Sequence, residues 1–118
     1  MSLDEKFDVA VKTVQKLPKS GSLNPTTEQK LRFYSLYKQG TIGPNENPKP
    51  SFYQLIEKSK WEAWKALGDM DKSEAKKLYV EELLKMIDEL HKSLHVEEWL
   101  EQEGTDPELK NLFAALGR

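Results

Sequence analysis
An all-α fold is predicted, a bundle of four helices followed by a short helical tail, on three observations. Apolar residues recur at steps of three and four along most of the chain, no segment alternates apolar and polar residues as a strand would, and proline- and glycine-rich stretches separate the periodic segments. With 118 residues and 37% hydrophobic content, the chain is long enough for one core but short for two domains.

Phe7, Ala10, Val11, Val14 and Leu17 fall on one stripe, which places helix 1 at about 4–17. Proline, glycine and serine between Pro18 and Pro25 make a connection. Helix 2 begins where Thr26 can cap the first N–H groups and Gln29 can reach back to the Thr26 N–H, a reciprocal capping box. It is expected to run to about Gln39, with Gly40 as its stop. Pro44, Pro48 and Pro50 shape a long loop from Thr41 to Ser51. Helix 3 is expected from Phe52 to Leu67, with Leu55, Ile56, Ala63, Trp64 and Leu67 packing and Gly68 as terminator. Asp71 and Glu74 offer a second capping box before helix 4, whose stripe is Tyr79, Leu83, Met86, Ile87, Leu90 and Leu94. Beyond His95, apolar residues at Val96, Trp99, Leu100, Leu109, Leu112, Phe113 and Leu116 predict two short helices hinged at Gly104–Pro107. This tail either folds back on the bundle, the simpler reading, or offers an amphipathic face to a protein partner at 96–116.

Charge and composition narrow the function. Eighteen basic and 20 acidic side chains leave a net charge of −2, which argues against a general nucleic-acid binder. No cysteine is present, so thiolate catalysis and cysteine-ligated zinc are excluded. The acidic start lacks the basic end and apolar run of a signal peptide, and no stretch approaches the ~18 apolar residues of a membrane-spanning helix. A cytoplasmic monomer is expected, with attachment to an organelle surface only if these residues are part of a longer anchored protein. No nucleophile with its base, no paired acids and no phosphate-binding glycine loop stands out, so no enzyme is expected. His91 and His95, four apart, could face one metal, but without a third ligand a solvated helix end is the simpler reading, and no metal is expected.

One constellation carries chemistry. Leu31, Tyr34, Tyr37 and Lys38 share a broad sector of helix 2, Lys60 lies beside Trp61 and four residues before Trp64, and helix 4 adds Tyr79. Phenols, ammonium groups and rings together suit a phosphate-bearing nucleotide, since rings stack on a base while lysines and hydroxyls satisfy phosphate oxygens. Spacing alone does not separate this from tyrosines that bury their rings in a core, and both tryptophans are expected mainly to pack.

The words Phe33-Tyr-Ser-Leu-Tyr-Lys-Gln-Gly-Thr-Ile-Gly43 and Lys58-Ser-Lys-Trp-Glu-Ala-Trp64 resemble the signature of the acyl-CoA-binding protein family, with Ser73–Val80 in the last bundle helix. The stretches Leu17–Pro25 and Leu67–Met70 look closer to its longer, multidomain members. The resemblance implies a four-helix up-down-down-up bundle, an acyl-CoA-binding domain over 4–92 and a helical extension over 93–118. It implies a carrier or buffer of medium- to long-chain fatty acyl-CoA that performs no reaction and needs no cofactor; the alternative is a helical protein-interaction module using the tail. Tyr34, Tyr37, Lys38, Lys60 and Tyr79 match the family's positions for the adenine, the 3′-phosphate and nearby head-group contacts. Leu31 should face the acyl chain, and Lys58 should contribute from the periphery. The chain departs from the family at Gln15 and Lys30, where a lysine and a methionine stand in the pattern; Lys16 is the candidate to replace the lost charge.

Overall fold
The computed structural model describes residues 1–18, 24–93, 96–101 and 105–118, with the backbone alone at 93, 96 and 97. Among the described residues every regular element is a helix: α1 (Leu3–Lys16), α2 (Thr27–Thr41), α3 (Leu55–Lys65), α4 (Lys72–Ser93), α5 (Val96–Leu100) and α6 (Glu108–Ala115). The chain forms two compact units, Pro25–Tyr79 and a second made of Met1–Asn24 with Val80–Arg118.

In the unit Pro25–Tyr79, α2 starts at the predicted box: the Gln29 N–H donates to Thr26 Oγ1 at 3.1 Å and the Thr26 N–H to Gln29 Oε1 at 2.8 Å. Its end differs from expectation. Gly40 does not stop the helix; α2 continues through it to Thr41. A Cβ at Gly40 would lie 3.0 Å from Lys76 Cγ and 3.5 Å from the Lys76 backbone N, so the glycine serves close approach to α4 rather than termination. The turn comes at Gly43, whose φ of +104° suits a residue without Cβ, and the Lys38 carbonyl accepts from both Ile42 N–H and Gly43 N–H.

Helix α3 packs against α2 and is shorter than expected. A turn closed by Gln54 N–H to the Ser51 carbonyl at 3.0 Å occupies its predicted first residues. Leu55 and Ile56, expected to pack, are exposed at 70% and 72%, beside Phe52 and Tyr53 at 81% and 73%. Trp64 is the buried anchor of α3, and its indole N–H is shared by Gln39 Oε1 at 3.1 Å and the Gly43 carbonyl at 2.9 Å. Gln39 is fully buried, and its amide also donates to the carbonyls of Gly68 and Met70, tying α2 to the α3–α4 connection. Gly68 takes φ +60° in that connection, after α3 has already ended.

In the other unit, the Ser2 hydroxyl and Glu5 carboxylate form a capping box that starts α1. Phe7, Ala10 and Leu17 are buried as expected, while Val11 and Val14 are half-buried and Thr13 takes a core position by donating its hydroxyl to the Val9 carbonyl at 2.8 Å. On α4, Leu83, Met86 and Ile87 are buried and Leu90 half-buried; Leu94 and His95 lie outside the described residues. The tail folds back. Helix α6 packs on α1 with Leu109 and Phe113 almost fully buried, Lys16 pairs with Asp106 at 2.9 Å, and the Arg118 guanidinium holds Asp88 of α4.

Candidate ligand-binding site
Tyr34 and Lys38 stand one turn apart on α2, so their side chains meet on one face. The Lys38 ammonium lies 5.8 Å from the centre of the Tyr34 ring and 5.9 Å from that of Trp64. Because α3 packs along α2, Lys60 comes to the same ring, its ammonium 5.4 Å from the Tyr34 centroid. Two cations thus converge on one half-buried phenol, where attraction to the ring's π face offsets part of their repulsion. Burial raises the pKa of the Tyr34 hydroxyl and the Glu57 charge raises it further, so the phenol stays a neutral donor.

Beside the Tyr34 ring opens a cleft of about 300 Å³ lined by Tyr34, Asn47, Pro48, Pro50, Glu57, Trp61 and Trp64. The long loop forms one wall through hydrogen bonds of its own. Buried Asn45 donates to the Trp61 carbonyl at 3.1 Å and accepts the Asn47 N–H at 3.0 Å. The Trp61 indole N–H donates to the Asn47 carbonyl at 2.8 Å, and Lys65 donates to the Asn45 carbonyl at 3.1 Å. Trp61 is therefore half-buried with one edge tied to the loop, not simply a core residue. The Glu57 carboxylate stands 3.9 Å from the Lys60 ammonium.

The remaining expected site residues are placed differently. Tyr79 is buried at 3% exposure and packs on Phe33 with ring centroids 5.1 Å apart; burial first, and then the electrostatic influence of Tyr37, pushes its pKa well above the usual phenol value. Tyr37 is exposed at 38%, next to that pair. Leu31 and Lys58 are half-buried and make no hydrogen bond, ion pair or ring contact with Tyr34, Lys38 or Lys60 among the described residues. Lys16 is committed to Asp106 and Glu108 and does not stand free to replace a lost charge. Asn45, Asn47, Glu57 and Gln39 were not singled out as site residues in the sequence, where the prolines marked the long loop. His91 is exposed, His95 lies outside the described residues, and among the described residues no group of three or more His, Cys, Asp or Glu could hold a metal.

A helical fold with two lysines converging on a tyrosine ring beside an aromatic cleft fits one class: the chain belongs to the acyl-CoA-binding protein family, its residues 4–83 matching the family described as Acyl CoA binding protein. Members of this family bind acyl-CoA and are binding proteins rather than catalysts. Over 118 residues the chain is 44% identical to "Acyl-CoA-binding protein homolog 3" of Caenorhabditis elegans, with 100% of each covered. It is 48% identical over 97 residues to "Acyl-CoA-binding domain-containing protein 5" of Rattus norvegicus, covering 82% of this chain and 19% of that much longer protein. Among solved structures, it is similar to ACBP from Moniliophthora perniciosa, at 34% identity and a TM-score of 0.76 over 99% of this chain and 96% of that one. Oryza sativa Acyl-CoA-Binding Protein 2 matches at 32% identity and 0.71, over 79% of this chain and 99% of that one. No helix among the described residues is long and apolar enough to cross a membrane.

Proposed function
We propose that this chain is a cytoplasmic, monomeric carrier of medium- to long-chain fatty acyl-CoA esters, with a binding domain over 4–92 and no chemistry or cofactor of its own. The supporting observation is the convergence of the Lys38 and Lys60 ammonium groups on the Tyr34 ring beside the cleft. Two cations with a phenolic donor suit a phosphorylated ribose, and the cleft's rings suit an adenine. Tyr37 and Tyr79 complete the polar side of the head-group site, Leu31 meets the acyl chain, and Lys58 contributes field from the periphery. The alternative, a protein-interaction module using the tail, gains no support from Leu109 and Phe113, which are already buried.

Calorimetric titration with a series of acyl-CoA esters of increasing chain length tests the reading. Affinity should rise with chain length into the medium-to-long range, because each buried methylene adds about 0.8 kcal/mol. Affinity unchanged along the series would remove the acyl selectivity, and no binding of any ester would end the carrier reading. Free fatty acids of the same lengths should bind poorly, because the polar constellation recognises the head group.

A further inference from the structure
We propose that Glu57 is a specificity-determining residue of the cleft, an internal anion that competes with the ligand for Lys60 and sets how much negative charge the site accepts. The inference rests on the reading of Lys60 as a head-group anchor. Glu57 lies in the first turn of α3, lines the cleft and stands one turn before Lys60, with its carboxylate 3.9 Å from the ammonium.

Stability gives little reason for the pair. Its side chains are 60% and 39% exposed, and ion pairs this wet contribute little to folding. The carboxylate nonetheless acts on the site itself: it lines the cleft beside Tyr34, and its charge adds to burial in raising the pKa of that phenol. A polyanion arriving at Tyr34 and Lys60 meets a cation already partnered and a like charge on the cleft wall. It must displace the carboxylate from Lys60 and then remain within several ångströms of it. Two like unit charges ~6 Å apart shift an equilibrium by roughly threefold even at the dielectric constant of water, and by more where the ligand displaces water. The penalty grows with each phosphate near the carboxylate, so Glu57 tunes the balance between the charged head and the neutral parts of the ligand.

Calorimetry with wild type, Glu57→Gln, Lys60→Ala, the double variant and Glu62→Gln tests this. The probes are a long-chain acyl-CoA and the same ester lacking the 3′-phosphate, each at low and high salt. Glu62 is a matched control, an exposed acid on the same helix that pairs with Lys49 at 3.6 Å and does not line the cleft. Glu57→Gln should bind the full ester about three- to tenfold more tightly at low salt. The gain should shrink in high salt, shrink for the ester with fewer charges, and largely disappear when Lys60 is alanine. Glu62→Gln should change affinity less than twofold. Unchanged or weaker binding by Glu57→Gln, or a gain of the same size in the Lys60→Ala background, overturns the proposal while the carrier reading stands. Failure of wild type to bind either ester would instead remove both.

Discussion
Lys38 and Lys60 stand beside Tyr34 while remaining partly in water, so neither is needed to hold the helices together. Lys38→Ala and Lys60→Ala should each weaken acyl-CoA binding about ten- to a hundredfold, the usual consequence of losing a charge-assisted hydrogen bond, with helicity by circular dichroism unchanged. Lys58→Ala removes the same charge from α3 at a position without those contacts and should cost less. Equal losses at Lys58 and Lys60 would reduce the anchors to a diffuse basic rim. Tyr79 makes a different prediction. Below pH ~10 its phenol is protonated in both the folded and unfolded chain and adds no pH dependence. Above that pH the unfolded chain releases the proton that the buried phenol retains, so the unfolded state binds fewer protons and stability falls as pH rises. Urea unfolding at pH 9, 10.5 and 11.5 should show wild type losing stability faster than Tyr79→Phe, by at most about 1.4 kcal/mol per pH unit.

Helix boundaries were legible in the sequence where their chemistry is local. The Thr26–Gln29 box needs only side chains three residues apart, and α2 starts where those residues place it. The end of α2 was not legible, because Gly40 serves the close approach of Lys76 on α4 rather than a stop, and nothing near Gly40 encodes that neighbour. Leu55 and Ile56 mark a second limit: apolar spacing states that a face avoids polar residues, not whether protein covers it. The tail shows the opposite case, where the spacing of Leu109 and Phe113 did indicate a face that packs. Helix α6 is held mainly by that burial rather than by its exposed ion pairs. Phe113→Ala should therefore cost about 3–5 kcal/mol in chemical denaturation, and Asp106→Asn, which removes the nearer of the two carboxylates paired with Lys16, far less.

Over the whole chain, the proposed phosphate anchoring by Lys38 and Lys60 predicts that binding responds to salt, because added ions screen exposed charges over about 10 Å at 0.1 M. Calorimetry at two ionic strengths should show weaker binding at the higher one while the gain per added methylene persists; a salt-independent affinity would count against phosphate anchoring. Tyr34 and Lys38 were legible as helical neighbours, and Lys60 by its place beside Trp61 and one turn before Trp64, which the family-like words then matched. The loop wall was not, since the Asn45 side-chain amide bonds the Trp61 carbonyl and the Asn47 N–H, and the Asn47 carbonyl accepts from the Trp61 indole, backbone partners whose positions no pattern of side chains reveals. The tryptophans have a spectroscopic consequence. Trp64 is buried, Trp61 lines the cleft, and half-buried Trp99 belongs to the other unit. The three indoles therefore sit in separate places, one of them buried, and variants retaining one tryptophan turn ultraviolet emission into three separate signals. On the proposed function, Trp61 should report ligand in the cleft, while Trp64 and Trp99 report the packing around themselves in their own units, without any attached dye.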